Sequence, residues 1–229
     1  MELLPRVPVG ALMLVTPLLA ACILLYREEG AAGIQALLHR ALDYRRIPPR
    51  WYLAIFLLMP AITLVSYAFM QATGFPLPPP QVSPLPAFVL FLALVVSGFC
   101  EEAGWSGYAT DPLQERWGVL LASLLIGAVW AVWHIVPLIQ AHRTPDWILW
   151  WALGTVGSRV IIVWVYNKTG RSVAAAALYH AMSNLCWQLF PNRGSHYDPR
   201  VTTPLIIAVA GFVSLFSDTH SRRRLPAGR

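Results

Sequence analysis

Two adjacent carboxylates, two histidines, an arginine and an asparagine stand inside stretches otherwise built from Leu, Val, Ala and Trp: Glu101, Glu102, His134, Arg159, His180 and Asn184. An ionisable group in hydrocarbon costs at least about 2.5 kcal/mol, so each requires a partner, a water-filled cavity or a function. Carboxylate and imidazole side chains brought together can move a proton to or from water, and imidazole or amide donors can steady a developing oxyanion. Spacing sorts these groups. Neighbours on a helix diverge by about 100°, so Glu101 and Glu102 cannot serve the same face, and one should point at a site while the other points at a support. His180 and Asn184 are spaced i, i+4 and share a face. His134 lies in an apolar helix that Pro137 kinks or ends.

The elements that carry these groups belong in a bilayer. With 57% hydrophobic residues, 12% charged and a mean hydropathy of +0.55, the chain has too little polar surface to cover a water-soluble particle. Seven stretches are apolar for about the twenty residues that span a bilayer, near 7 to 26, 51 to 72, 85 to 108, 118 to 140, 147 to 166, 172 to 190 and 201 to 217. The fold class expected is therefore all-α, a polytopic transmembrane bundle forming a single membrane domain over residues 1–229. A cytoplasmic amphipathic linker over 27–50 and a basic cytoplasmic tail over 218–229 accompany it. Between the second and third stretches runs a proline-rich connector without a single charge. The net charge of +6 is carried by arginine, and with the N-terminus outside and the C-terminus in the cytoplasm the basic residues divide twelve inside to four outside, with Arg159 left within a span. That distribution reads as topology in a plasma membrane, taken as bacterial, with lipid as the surrounding partner and no nucleic acid. The three cysteines sit singly in apolar runs and suggest neither a disulfide framework nor a metal knuckle.

Three ordered segments, EEAGWSGY over 101–108, WAVWH over 130–134 and HAMSN over 180–184, resemble the motifs of the CAAX-protease and bacteriocin-processing family of intramembrane endopeptidases, across a core of about residues 97–184. The resemblance implies hydrolysis of a peptide bond in a membrane-associated protein or peptide. Glu101 and His134 would activate water, His180 and Asn184 would steady the oxyanion, and Glu102 would be the supporting acid. Two positions depart from the family pattern, which has arginine where this chain has Ser106 and phenylalanine where it has Trp130. The first removes a cation from the acidic pair. Arg159 is the in-span candidate to replace it, and Ser106, one turn beyond Glu102, is placed to hydrogen-bond with it.

No cofactor is favoured, the alternative being a zinc ion held by Glu101, His134 and His180, since one carboxylate and two histidines match a catalytic zinc set. The chain has no His-Glu-x-x-His helix, and the three donors would come from separate spans. A different class of function, a bacteriocin immunity factor or a scaffold whose polar groups form a structural network, is the alternative to catalysis. The depths pose a question of their own. With a third span ending at Tyr108, Glu101 and His134 would lie roughly 14 Å apart along the membrane normal.

Overall fold

The computed structural model describes residues 2–4, 7–8 and 13–216. A short antiparallel pair, β1 (Glu2–Leu4) and β2 (Val7–Pro8), precedes the helices. The described residues then form α1 (Thr16–Glu29), α2 (Ala31–Leu42), α3 (Trp51–Ala72), α4 (Pro84–Gly104), α5 (Thr110–Trp117), α6 (Val119–Gln140), α7 (Pro145–Lys168), α8 (Val173–Leu189) and α9 (Pro199–Ser214). Four helical segments are long and apolar enough to cross a membrane: Trp51–Ala72, Pro84–Trp117, Val119–Gln140 and Pro145–Lys168. The bundle is helical and polytopic, as composition required. The basic tail over 218–229 lies outside the described residues.

Two boundaries differ from the hydropathy pattern. The first apolar stretch, expected over 7 to 26, is described as helix at Met13 and as α1 from Thr16, with residues 9–12 outside the described residues. Hydropathy does not register that Pro8 has no N–H for a helix, or that Pro17 is best placed in a first helical turn, where α1 has it. The third stretch does not stop at Tyr108. A single π turn, Trp105–Ala109, carries α4 into α5, and the pair forms one 34-residue segment ending at Trp117. Gly118 then reverses the chain with φ +79°, a conformation that side chains rarely adopt. Glu101 consequently lies sixteen residues before Trp117, and His134 fifteen residues after Val119. On antiparallel neighbours rising about 1.5 Å per residue, that brings both to the same level and removes the expected offset.

Small residues let the helices that carry the polar groups approach closely. A Cβ on Gly98 of α4 would come 2.9 Å from the Ala177 carbonyl of α8, and one on Gly127 of α6 would come 3.0 Å from Val156 Cα and 3.1 Å from Arg159 Cβ of α7. The middle of α8 is an alanine run in which Ala175, Ala176 and Ala177 are wholly buried. Around that run Ile161, Val163, Val165 and Tyr166 of α7 close the half of the bundle nearer the Gly118 turn.

That end also carries a polar belt. Asp111 pairs with Arg40 at 3.4 Å and Arg171 at 3.5 Å and accepts from Tyr166 at 3.0 Å, while the Gln114 and Asn167 amides exchange two hydrogen bonds between α5 and α7. Arg40 further donates to the Gly107 carbonyl in the π turn. The amphipathic segment forms α2, whose buried stripe Gly33, Leu37 and Ala41 recurs at i, i+4, i+8 and faces the bundle.

Candidate active site

The two glutamates take opposite directions, as a 100° separation demands. Glu101, 3% exposed, lines a cavity of about 410 Å³ together with His134, His180 and Asn184. Glu102, wholly buried, turns away into the helix interface. There its Oε2 accepts from Arg159 Nη1 at 2.7 Å and from the Ser106 hydroxyl, and its Oε1 lies 2.9 Å from His180 Nδ1. The π turn supplies the Ser106 contact from the helix of Glu102 itself. Arg159 is also wholly buried, so α7 delivers a full cation to the carboxylate at the depth where the family motif would carry arginine at position 106. Its Nε and Nη2 have no hydrogen-bond partner among the described residues, and the guanidinium carbon stands 4.3 Å from the centre of the Trp130 ring.

Trp130 is the residue that sequence reasoning undervalued. A phenylalanine in its place would keep a ring but lose the indole N–H, which donates to Glu101 Oε2 at 3.0 Å. The same ring stacks edge-on with His134 at 5.5 Å and with His180 at 5.1 Å, so one side chain touches every ionisable group of the site except Glu102. The available signal was chemical. A buried indole N–H usually seeks an acceptor, but the sequence does not say which indole finds one: Trp51, Trp105, Trp164 and Trp187 have buried indole nitrogens without a hydrogen-bond partner among the described residues, and the level of Glu101 emerges only from the fold.

His134 is held by three indoles, with Trp130, Trp133 and Trp151 at centroid distances of 5.5, 4.9 and 5.1 Å. Its Nδ1 lies 2.9 Å from the Trp130 carbonyl, an acceptor, so Nδ1 carries a proton. His180 Nδ1 likewise carries a proton, held by the Glu102 carboxylate. Asn184, one turn beyond His180 and half-buried, lines the cavity without a side-chain hydrogen bond among the described residues. The cavity runs from this level towards the far ends of α6 and α8, where Ala141 and Gln188 line it, away from the polar belt.

A zinc ion is a poor fit to these side chains. Among the described residues no three of His, Cys, Asp and Glu converge as a metal-holding group.

Residues 83–186, which include all three motifs, match the model of the type II CAAX prenyl endopeptidase Rce1-like family. The chain is also 30% identical over 191 residues to the CAAX prenyl protease 2 of Methanococcus maripaludis, an alignment covering 77% of this chain and 70% of that protein. The chain belongs to the type II CAAX prenyl endopeptidase family. The two departures from the motif pattern noted above fall at Ser106 and Trp130. Arg159 of α7 meets Glu102 beside Ser106, and Trp130 keeps an aromatic ring while adding a donor to Glu101.

Proposed function

We propose that this chain hydrolyses a peptide bond near the C-terminus of a prenylated, membrane-held polypeptide, without a metal. The observation that carries the reading is the convergence of Glu101, His134, His180 and Asn184 on one cavity within a membrane bundle. Trp130 holds Glu101 Oε2, so Oε1 is the oxygen that takes a proton from water as the water attacks the scissile carbonyl, and that returns it to the leaving amine as the C–N bond breaks. His134 Nε2 accepts from the same water and orients it. Asn184 through its amide, and His180 through Nε2–H of the doubly protonated ring, face the carbonyl oxygen and steady the charge that develops there. Glu102 acts through His180, holding its Nδ1–H so that the ring can carry a second proton on Nε2, and Arg159 with Ser106 holds Glu102 in place.

Purified protein incubated with a peptide ending in a farnesylated cysteine and three further residues should release the terminal tripeptide, read by mass spectrometry, at the same rate before and after chelation. Loss of cleavage on chelation, with recovery on adding zinc, would overturn the metal-free part. Absence of cleavage in this peptide and in prenyl-free leader peptides would favour the non-catalytic scaffold.

The protein sits in the membrane with its arginine-rich loops, and the C-terminus beyond them, in the cytoplasm. Among the described residues, Arg27, Arg40, Arg45, Arg46, Arg50, Arg116, Lys168 and Arg171 lie at the end of the bundle with the Gly118 turn, against Arg143, Arg193 and Arg200 at the other. A phosphatase fused after Arg229 should be inactive if this orientation holds and active in the periplasm if it is reversed.

A further inference from the structure

A second groove, of about 710 Å³, lies at the end of the bundle opposite the polar belt. Its walls are the proline-rich connector and the start of α4 (Pro79, Pro86 and Leu90) on one side and the loop after α8 (Phe190, Pro191 and Arg193) on the other. Gln188 lines both this groove and the catalytic cavity, so the two spaces adjoin. The groove mixes polar side chains (Gln81, Ser83, Gln188 and Asn192) with apolar ones, and Arg193 is the one cation in its lining. At this end Arg200 is engaged by Asp198 at 2.8 Å and Asp146 at 3.8 Å, and Arg143 lies 4.5 Å from the centre of the Trp147 ring. Arg193 has neither ion pair nor side-chain hydrogen bond among the described residues, and the connector facing it carries no charge.

The loop presents Arg193 at a conformational cost. Asn192, Arg193 and Gly194 have φ of 53°, 55° and 78°, three consecutive residues in the left-handed region that non-glycine side chains reach reluctantly. The turn is braced, with the Gly194 N–H donating to the Phe190 carbonyl at 2.7 Å and the His196 N–H donating to the Pro191 carbonyl at 3.4 Å. A strained residue held by its surroundings, carrying an unengaged cation beside a catalytic cavity, is a recognition feature.

We infer that this groove receives the part of the substrate polypeptide three to four residues from the bond cleaved, and that Arg193 pairs there with a carboxylate. The inference rests on the proteolytic reading above. Along α8, His180 and Gln188 are eight residues apart, a rise of about 12 Å, which an extended chain covers in three to four residues at about 3.3 Å each. A carboxylate at that distance is either the chain's own C-terminus or an acidic side chain.

Binding to the full-length Glu101→Gln protein in detergent, measured by fluorescence anisotropy without turnover, tests it. Three labelled peptides share a farnesylated cysteine followed by three residues: one with a free C-terminus, one amidated, and one amidated with glutamate as its last residue. The free acid should bind about fivefold more tightly than the neutral amide, the scale of a partly exposed ion pair. Equal gain for the glutamate peptide assigns the preference to any carboxylate, and gain for the free acid alone assigns it to the C-terminus. Arg193→Gly, which suits φ 55° and should leave the melting temperature unchanged, should erase the gain, and Arg193→Lys should keep part of it. Equal binding of all three peptides, or a gain that survives Arg193→Gly, overturns the inference. Cleavage by the protein with Glu101 intact is scored separately, so failure of the proteolytic reading and failure of the groove give different results.

Discussion

Arg159→Gln is expected to destabilise the protein by about 3 kcal/mol or more, seen as a large drop in thermal unfolding temperature in detergent. Arg159 and Glu102 are both wholly buried and meet at 2.7 Å. Removing the cation leaves the Glu102 carboxylate in a dry interface with only the Ser106 hydroxyl and His180 as partners. The desolvation already imposed on the carboxylate is then no longer offset by the charge that justified it. Two further variants separate this account from simple loss of packing. Arg159→Gln combined with Glu102→Gln removes both charges and should recover a good part of the loss, because two neutral amides can hydrogen-bond in the same space. Ser106→Arg, which restores the family residue, should harm the wild type, where Ser106 is fully buried and the site is already occupied. The same change should partly rescue Arg159→Gln by returning a cation to Glu102. If Arg159→Gln melted as the wild type does, Glu102 would owe its stability to another group, and the replacement of the motif arginine by Arg159 would be wrong.

Glu101→Gln should lower kcat by about a thousandfold or more while leaving the unfolding temperature near that of the wild type. The amide matches the carboxylate in size, and its oxygen still accepts from Trp130, so the cavity and the indole contact survive. What disappears is the basic oxygen that takes the proton from water, and proton transfer of this kind is worth about 10² to 10⁴ in rate. Trp130→Phe, which keeps the ring packing against His134 and His180 but deletes the N–H, should cost about tenfold, in kcat rather than in KM, because the lost N–H orients Glu101. Asn184→Ala should fall between these, at about a hundredfold, as an oxyanion donor does. A scaffold would behave otherwise. Its Glu101→Gln variant would keep full function, or would lose function and stability together.

Hydropathy and periodicity are local quantities, and they sufficed for what is local. The apolar runs, the 100° divergence of Glu101 and Glu102 and the shared face of His180 and Asn184 follow from helical geometry alone, and each is legible in the sequence. The three motifs in order carried the family. Other features depend on how far one helix continues and on which neighbour it meets. The run of α4 through the π turn to Trp117, which levels Glu101 with His134, is invisible to hydropathy because Thr110–Trp117 is polar and resembles a loop. Arg159 stood out in the sequence as a charge inside a span, but its partner was decided by the close approach of α6 and α7 at Gly127 and of α4 and α8 at Gly98. Trp130 looked like one more aromatic residue until the packing placed its N–H on Glu101 and its face over Arg159. The sequence by itself determined that polar groups lie in a membrane and which helix faces they occupy. Only the tertiary structure decided which of them touch, because a hydrogen bond of 3 Å between helices depends on depth and crossing geometry that no single helix encodes.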